Sequence, residues 1–574
     1  MKKLFLILII TLVFNTAFSQ KSVYKYRVSF KDKINSPFSV SNPSAFLSQK
    51  AITRRSNQGI AINLLDIPVN QCYIDSVVAF GASFINKSKW FNSIIVSLTD
   101  TNILQQINAL TFVKNTELVI TVTSKKKKNK LNDEIINKAT SVYFKPQYYQ
   151  NYYTANEQHL DNEKEAFAIQ SLDYGQAYLQ INMLEGCFLH NQGYLGQGMT
   201  IAILDAGFEQ VDVIHAFDSL WLNGQLLGSR DFVLPGNNVF NEASHGMMVL
   251  STMGANIPGQ IIGTAPKASY WLIRTEDATS ENPIEEDNWT SGAEFADSVG
   301  VDVINSSLGY TNYDNQSMSH TYKDLNGKTA RASIAATIAA RKGIVVVNSV
   351  GNSGGSAWKY IGVPSDADSI ISVGAVDMNS NYASFSSIGP TYDGRVKPTV
   401  ATLGQGAVFA TAAGVGTGNG TSFSSPIMCG MVACLWQAFP LKNNQEIIEA
   451  IKHSASQYNT PDSLKGYGIP NFQIASILLS GTNIHNFDNE NTFNAFPNPF
   501  DDVLYLAYNS TDTQSVQIEI YDLSGKRILA INDIPRHQGY NSITINNLFI
   551  LKRGIYIIRV TSGNKTSTQK VLKK

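Results

Sequence analysis

Between residues 165 and 480, short apolar, β-branched runs alternate with segments of helix length, and this alternation constrains the fold more than any other feature of the chain. The runs fall at 199–204, 301–305, 344–348 and 370–376, with helical windows such as 291–299 and 330–342 between them. A parallel neighbour in a sheet needs a crossover connection, so strands separated by helices close most simply into a parallel sheet with helices on both faces. The runs are apolar throughout, as strands covered on both faces must be. The expected fold class is α/β, a doubly wound, mostly parallel sheet. In such sheets ligands meet residues just past the carboxyl ends of the strands.

The flanking sequence has a different texture. Residues 20–123 carry strand-like runs at 25–30, 94–98 and 118–120 and helical windows near 70–80 and 101–109, the pattern of a small α+β unit. In 124–164 a basic run, Lys125-Lys126-Lys127-Lys128-Asn129-Lys130, opens a polar stretch without steady period, which reads as a linker. Residues 491–574 alternate with period two around a Ser524-Gly525 turn and read as an all-β sandwich. At the start, Lys2 and Lys3, an apolar stretch over 4–14 and Ala17-Phe18-Ser19 make 1–19 a secretory signal peptide. That stretch is too short to span a bilayer, which takes about 20 apolar residues, and no later run reaches that length. The expected product is exported through the periplasm, with no integral membrane segment once the signal is removed.

A chain of 574 residues exceeds what one core usually spans. Lys plus Arg and Asp plus Glu are 45 each, so no net field favours a polyanion, and nucleic acid is not an expected partner. Four cysteines, Cys72, Cys187, Cys429 and Cys434, are too sparse for a disulfide scaffold, and none forms a CxxC pair for zinc. Cys429 and Cys434 fall in one apolar helical run and read as core.

Three places in the α/β segment carry chemistry. The run 199–204 ends in Asp205-Ala206-Gly207, Ser244-His245-Gly246 opens an apolar helical stretch, and Gly420-Thr421-Ser422 precedes a run over 423–439 that is apolar on nearly every side. Pro426 is expected in the first turn of that last helix, where a missing N–H costs little. Nucleophilic serine chemistry needs a base within hydrogen-bond reach, an acid that fixes the imidazole tautomer, and donors aimed at the developing oxyanion. Ser422 at a helix start offers its own N–H, and Gly420 keeps a Cβ out of the substrate's approach. Asn352, following the run 344–348, supplies a second donor worth roughly 3 kcal/mol in the transition state. Taken singly, each residue has an ordinary reading as a turn aspartate, a satisfied histidine or an N-cap. His159, His190, His215, His320, His453, His485 and His537 lack comparable surroundings and read as structural.

The ordered set Asp205-Ala206-Gly207, His245-Gly246, Gly263-Thr264-Ala265-Pro266-Lys267-Ala268, Ser306-Ser307-Leu308-Gly309, Gly351-Asn352-Ser353-Gly354 and Gly420-Thr421-Ser422-Phe423-Ser424-Ser425-Pro426 resembles the subtilisin-type (subtilase, S8) serine peptidases. Subtilisin is the standard example of this chain order of acid, base and nucleophile. The resemblance implies a secreted serine endopeptidase with Asp205 as orienting acid, His245 as general base and acid, Ser422 as nucleophile and Asn352 as oxyanion donor. It implies that Ser307, Leu308 and Gly309, with Ser349, Val350 and Gly351, line the substrate strand and P1 pocket, with Gly362 near the pocket floor. A glycine floor leaves room for a large apolar P1 side chain. Ala206, Met247 and Phe423-Ser424 depart from the family's usual residues without removing a triad atom.

The same resemblance makes 20–123 a propeptide and inhibitor. Phe46-Leu47-Ser48-Gln49-Lys50-Ala51 with Arg54-Arg55 is similar to the amino-terminal regions of subtilases from bacteria that use type IX secretion. Phe496-Pro497-Asn498-Pro499-Phe500, Ile520-Tyr521-Asp522-Leu523-Ser524-Gly525-Lys526, Gly554-Ile555-Tyr556 and the basic Lys570, Lys573 and Lys574 resemble a type A sorting domain of that pathway. The implied partners are protein or peptide substrates, the chain's own propeptide and the type IX machinery, with the product released or held at the cell surface. No organic cofactor is required. Structural calcium is frequent in the family, but no Asp-rich loop locates a metal ligand here. Two competing readings are a non-catalytic surface-binding pseudopeptidase and a serine esterase; the Gly-x-Ser-x-Gly elbow of many esterases is absent around Ser422.

Overall fold

The computed structural model describes residues 23–122, 172–480, 493–510, 515–534, 539–563 and 565–574. The signal peptide expected at 1–19 and the linker expected at 124–164 lie outside the described residues.

In the N-terminal unit, β1 (Val23–Phe30), β2 (Ser83–Ser88), β3 (Ser93–Leu98) and β4 (Val113–Val122) form an antiparallel sheet in the order β2-β3-β1-β4. Its helices are α1 (Gln49–Asn57), α2 (Gln71–Val78) and α3 (Ile103–Ala109). Ile74 and Val77 of α2 and Ile107 of α3 pack with Val28, Ile94 and Val96 of the sheet, so the α+β reading holds. β2 had no strand signature in the sequence; four of its six residues are polar and only half are exposed, and its pairing with β3 makes it a strand.

The central unit holds a sheet of seven parallel strands, β5 (Thr200–Asp205), β6 (Leu226–Asp231), β9 (Ser269–Arg274), β10 (Val303–Ser306), β11 (Val345–Ser349), β12 (Ile371–Val376) and β13 (Val400–Leu403), in the order β13-β12-β11-β10-β5-β9-β6. A short ribbon, β7 (Asn256–Ile257) with β8 (Ile261–Ile262), stands apart from it. The chain first builds β6 and β9 on one side of β5 and then crosses to β10 on the other, which makes β5 the point where strand order reverses. Successive β5 residues point to opposite faces: Ile201 and Ile203 join one core, Ala202 and Leu204 the other.

Helices α4 (His245–Gly254) and α7 (Thr421–Ala438) cover the first face, through Val249, Leu250, Phe423, Ile427 and Val432. α5 (Ile284–Val299) and α6 (Arg331–Arg341) cover the second with Trp289, Ala293, Ala332, Ala335 and Ala339. The small residues of α6 bring it close to the sheet. α7 begins at Thr421, so Pro426 is its sixth residue and not, as expected, part of the first turn. Cys429 and Cys434 are free and fully buried on α7, and burial raises both thiols.

A hairpin of β14 (Gln405–Thr411) and β15 (Gly414–Asn419) leads into α7. The C-terminal unit stacks β16 (Phe493–Phe496), β17 (Leu504–Ser510) and β20 (Gly539–Ile545) on β18 (Val516–Asp522), β19 (Arg527–Ile534), β21 (Gly554–Ser562) and β22 (Lys565–Lys573). Leu504, Leu506, Ile518, Ile520 and Ile558 fill the space between the two sheets, a β-sandwich.

α5 starts seven residues earlier than the apolar pattern predicts, because its first turns are acidic and acquire partners only in three dimensions. Asp287 takes Arg27 of β1 at 2.5–3.1 Å, and Glu294 accepts from Ser88 Oγ, Lys89 N and Trp90 N at 2.5, 2.7 and 2.9 Å. Asp297 takes Arg54 and Arg55 of α1, each at 2.6 Å. The N-terminal unit is therefore held on α5 by buried, charge-assisted hydrogen bonds.

Candidate active site

Asp205 is the last residue of β5 and His245 the first of α4; both are fully buried. Asp205 Oδ1 accepts from Ala206 N at 2.7 Å and lies 2.7 Å from His245 Nδ1. A carboxylate can only accept, so the imidazole proton belongs on Nδ1 and Nε2 is left as the acceptor. The helix start can approach the strand end this closely because residue 246 is glycine. A Cβ there would stand 2.4 Å from the Gly207 carbonyl oxygen and 2.9 Å from Asp205 Cβ.

Ser422 is the second residue of α7. Pro426 has no N–H to give the carbonyl four residues earlier, and the Ser422 carbonyl instead accepts from Ser307 Oγ at 2.9 Å. Ser422 Oγ in turn reaches the Ser307 carbonyl at 3.5 Å. Ser307 follows β10, whose Ser306 pairs with Leu204, so Ser307 and Asp205 leave adjacent strands side by side. His245 Nε2 is buried with no hydrogen-bond partner. The structure thus joins Asp205 to His245 and Ser422 to Ser307, but not His245 to Ser422.

Asn352 lies three residues past β11. Its Oδ1 accepts from Thr421 N at 2.9 Å and Thr421 Oγ1 at 3.0 Å, which turns the amide nitrogen toward the start of α7. A Cβ on Gly420 would be 3.7 Å from that nitrogen, an ordinary contact, so the protein itself does not demand glycine at 420.

The residues expected to contact substrate divide into two kinds. Gly309 is exposed and faces Gly362, whose ideal Cβ would lie 3.6 Å from Gly309 Cα and 3.3 Å from Thr311 Oγ1. Gly351 N donates to Thr421 Oγ1 at 3.2 Å, beside the Asn352 anchor. Leu308 and Val350 send their side chains into the core under α5 and α6, leaving only backbone for a ligand. The Ser349 carbonyl already accepts from Ser365 Oγ at 2.9 Å, and that of Val350 from Gly362 N at 3.0 Å.

Sequence reasoning missed an acidic group beside this site. Glu276, Glu281 and Glu285 each place an oxygen within 4.8 Å of the others, and Thr275 N donates to the Asp205 carbonyl at 2.9 Å. Burial first, then the charges of Glu281 and Asp205, push the Glu276 carboxyl well up; burial, then Glu276 and Glu281, do the same to Glu285. The density of acids over 276–287 was the available signal. The other described histidines have partners: Tyr174 and Thr264 for His190, which burial lowers to about 4; Asp218 for His215; Glu286 for His320; Tyr458 for His453. His159, His485 and His537 lie outside the described residues.

A sheet of this topology, with an acid–base pair at its reversal strand and a serine at the start of a core helix, describes a doubly wound serine hydrolase. Residues 196–468 match the subtilase family model, 25–134 the peptidase S8 propeptide domain of Bacteroidota, and 494–574 a secretion system C-terminal sorting domain. The chain is 30% identical over 316 residues to Subtilisin NAT of Bacillus subtilis subsp. natto, across 54% of this chain and 72% of that protein. It is 29% identical over 316 residues to Subtilisin of Bacillus pumilus, across 54% of this chain and 99% of that one. The solved structure of fervidolysin from Fervidobacterium pennivorans, a keratinolytic enzyme related to subtilisin, shares the fold with a TM-score of 0.51 at 18% identity, covering 94% of this chain and 70% of that one. The chain belongs to the subtilase family. It is a serine endopeptidase that carries a propeptide and a sorting domain for secretion. No helix among the described residues is long and apolar enough to cross a membrane.

Proposed function

We propose that the chain is the zymogen of an endopeptidase exported by type IX secretion, in which Asp205, His245, Ser422 and Asn352 perform peptide-bond hydrolysis. The observation that carries this reading is the buried 2.7 Å bond from His245 to Asp205, with Ser422 held one strand away on Ser307. Ser422 Oγ attacks the scissile carbonyl while His245 Nε2 takes its proton and later returns it to the leaving amine. Asp205 keeps the imidazole proton on Nδ1 and stabilises the imidazolium. The Ser422 N–H and the Asn352 amide receive the oxyanion. For this, Ser422 Oγ leaves the Ser307 carbonyl for Nε2, a hydrogen bond of the kind that tightens only with substrate in place.

Residues 307–309 and 349–351 flank the substrate, and the glycines at 309, 351 and 362 leave space for a large apolar P1 side chain. Residues 1–19 direct export and 20–123 inhibit; cleavage within 124–164 frees the peptidase, 165–480, and 491–574 is the sorting signal. Wild type and Ser422→Ala, incubated with casein and a fluorophosphonate probe and followed by mass spectrometry, test this. Cleavage, labelling and propeptide loss in wild type alone are expected. If both stay full length, unlabelled and inert after controlled propeptide removal, the catalytic reading fails and the chain is a surface-binding protein.

A further inference from the structure

The loop joining β9 to α5, together with the first turn of that helix, gathers Glu276, Glu281 and Glu285 beside the strand end that carries Asp205. One oxygen from each lies within 4.8 Å of the other two. Oxygens bound to one calcium ion at about 2.3–2.6 Å fall within roughly 5 Å of one another, so at most a small closing of the three side chains lets them share an ion. Glu276 and Glu285 are only 3% and 1% exposed, and each keeps one oxygen, Oε2 and Oε1 respectively, with no hydrogen-bond donor. No salt bridge reaches either of them among the described residues. Buried carboxylates without a counter-charge are among the costliest groups a fold can hold.

A fourth group makes the cluster more than a run of acids. Tyr310, 1% exposed, has a buried hydroxyl that reaches no full hydrogen-bond geometry; it lies against Glu276, whose carboxyl it pulls down, and it feels the charge of Glu276, Glu285 and Glu281. Three carboxylates and a phenol, with no imidazole or thiolate, form an all-oxygen donor set suited to a hard cation. Glu281 is half-buried, so water can complete the shell from that side. A lysine or arginine side chain of a bound peptide would need an open mouth, which the burial of Glu276 and Glu285 denies it.

We propose that Glu276, Glu281, Glu285 and Tyr310 form a calcium-binding site that fixes the loop after β9. Because Thr275 N donates to the Asp205 carbonyl at 2.9 Å, the ion would stiffen the strand exit that carries the acid of the triad. The site is independent of the catalytic assignment and its test needs no turnover. The full chain carrying Ser422→Ala, stripped with a chelator, is dialysed against calcium alongside the same chain with Glu276→Gln and Glu285→Gln added. The added substitutions are expected to remove one bound ion per chain and to shrink the calcium-induced rise in Tm. Equal stoichiometry and equal Tm response in both chains overturn the site. So does a parent insensitive to calcium together with a double variant more stable in chelator, the result expected of carboxyls that share protons instead. If the double variant does not fold, Glu281→Gln, at the half-buried position, serves. At least tenfold weaker calcium binding supports the site, and unchanged affinity refutes it.

Discussion

Asn352 shows how one side chain is aimed by another. Its carbonyl oxygen is fixed by two bonds from Thr421, so in the proposed mechanism the amide nitrogen is already oriented to receive the oxyanion. Asn352→Ala should lower kcat by about 10²–10³-fold with little change in KM, the loss typical of removing this donor in a relative of the same family; steady-state kinetics on a peptide substrate check it. Lys397 is a second residue with a measurable signature. It is 5% exposed, and burial, then the charge of Arg395, lowers its amine to about 7. Unfolded, it titrates near 10.5, so between about 7 and 10.5 the unfolded chain holds a proton that the folded one lacks, and stability rises with pH across that window. Lys397→Met should abolish this rise, seen by comparing Tm at the two ends of the window. Asp205, His245 and Ser422 could be proposed from the sequence because residue type, order and strand context coincide. The acidic group at 276–285 was not, because its carboxylates meet only when loop and helix pack together.

At the scale of elements, α7 contains a helix-breaking proline past its first turn and is nevertheless continuous from Thr421 to Ala438. The carbonyl that Pro426 strands belongs to Ser422 and is satisfied from outside the helix by Ser307 Oγ. Ser307→Ala should leave that buried carbonyl unpaired and destabilise the protein by about 1–3 kcal/mol, read as a drop in Tm or denaturant midpoint. α5 teaches a related lesson. Its apolar positions predicted a helix from 291 onward, whereas the acidic turns from 284 form because Arg27, Tyr313 and His320 neutralise or bond them. A periodicity argument reads one chain segment at a time and cannot see partners that lie outside it. β10, β11 and β12 suffered no such error, each shifted by two residues or fewer, because they bury both faces and so carry their environment in their own apolar sequence.

For the whole molecule, the contact that matters most is the N-terminal unit on α5. Asp297 is fully buried; burial alone would raise its carboxyl, but Lys89, Arg54 and Arg55 outweigh this and hold it well below its usual 3.8. A lowered carboxyl contributes above its unfolded value and loses that contribution only as pH falls through the lowered one, so mild acid does not release the propeptide through Asp297. Asp297→Asn should leave Arg54 without a carboxylate partner and Arg55 with Asp66 alone, at 2.8 Å, and weaken retention by about 3–5 kcal/mol, so that after linker cleavage the propeptide leaves the peptidase on gel filtration where the wild-type pair co-elutes.

The sequence by itself determined the fold class, and it pointed to Asp205, His245, Ser422 and Asn352 as the candidate acid, base, nucleophile and oxyanion donor. Buried parallel strands are apolar along their whole length, and reactive groups sit at fixed places past their ends. Only the tertiary structure decided which charges are buried against which, that Ser422 rests on Ser307 and not on His245, and that three glutamates converge beside Asp205. The first two facts depend on distances between segments far apart in the chain; the third places one acid-rich segment beside a strand end far upstream, and the run of acids over 276–287 was its only local trace.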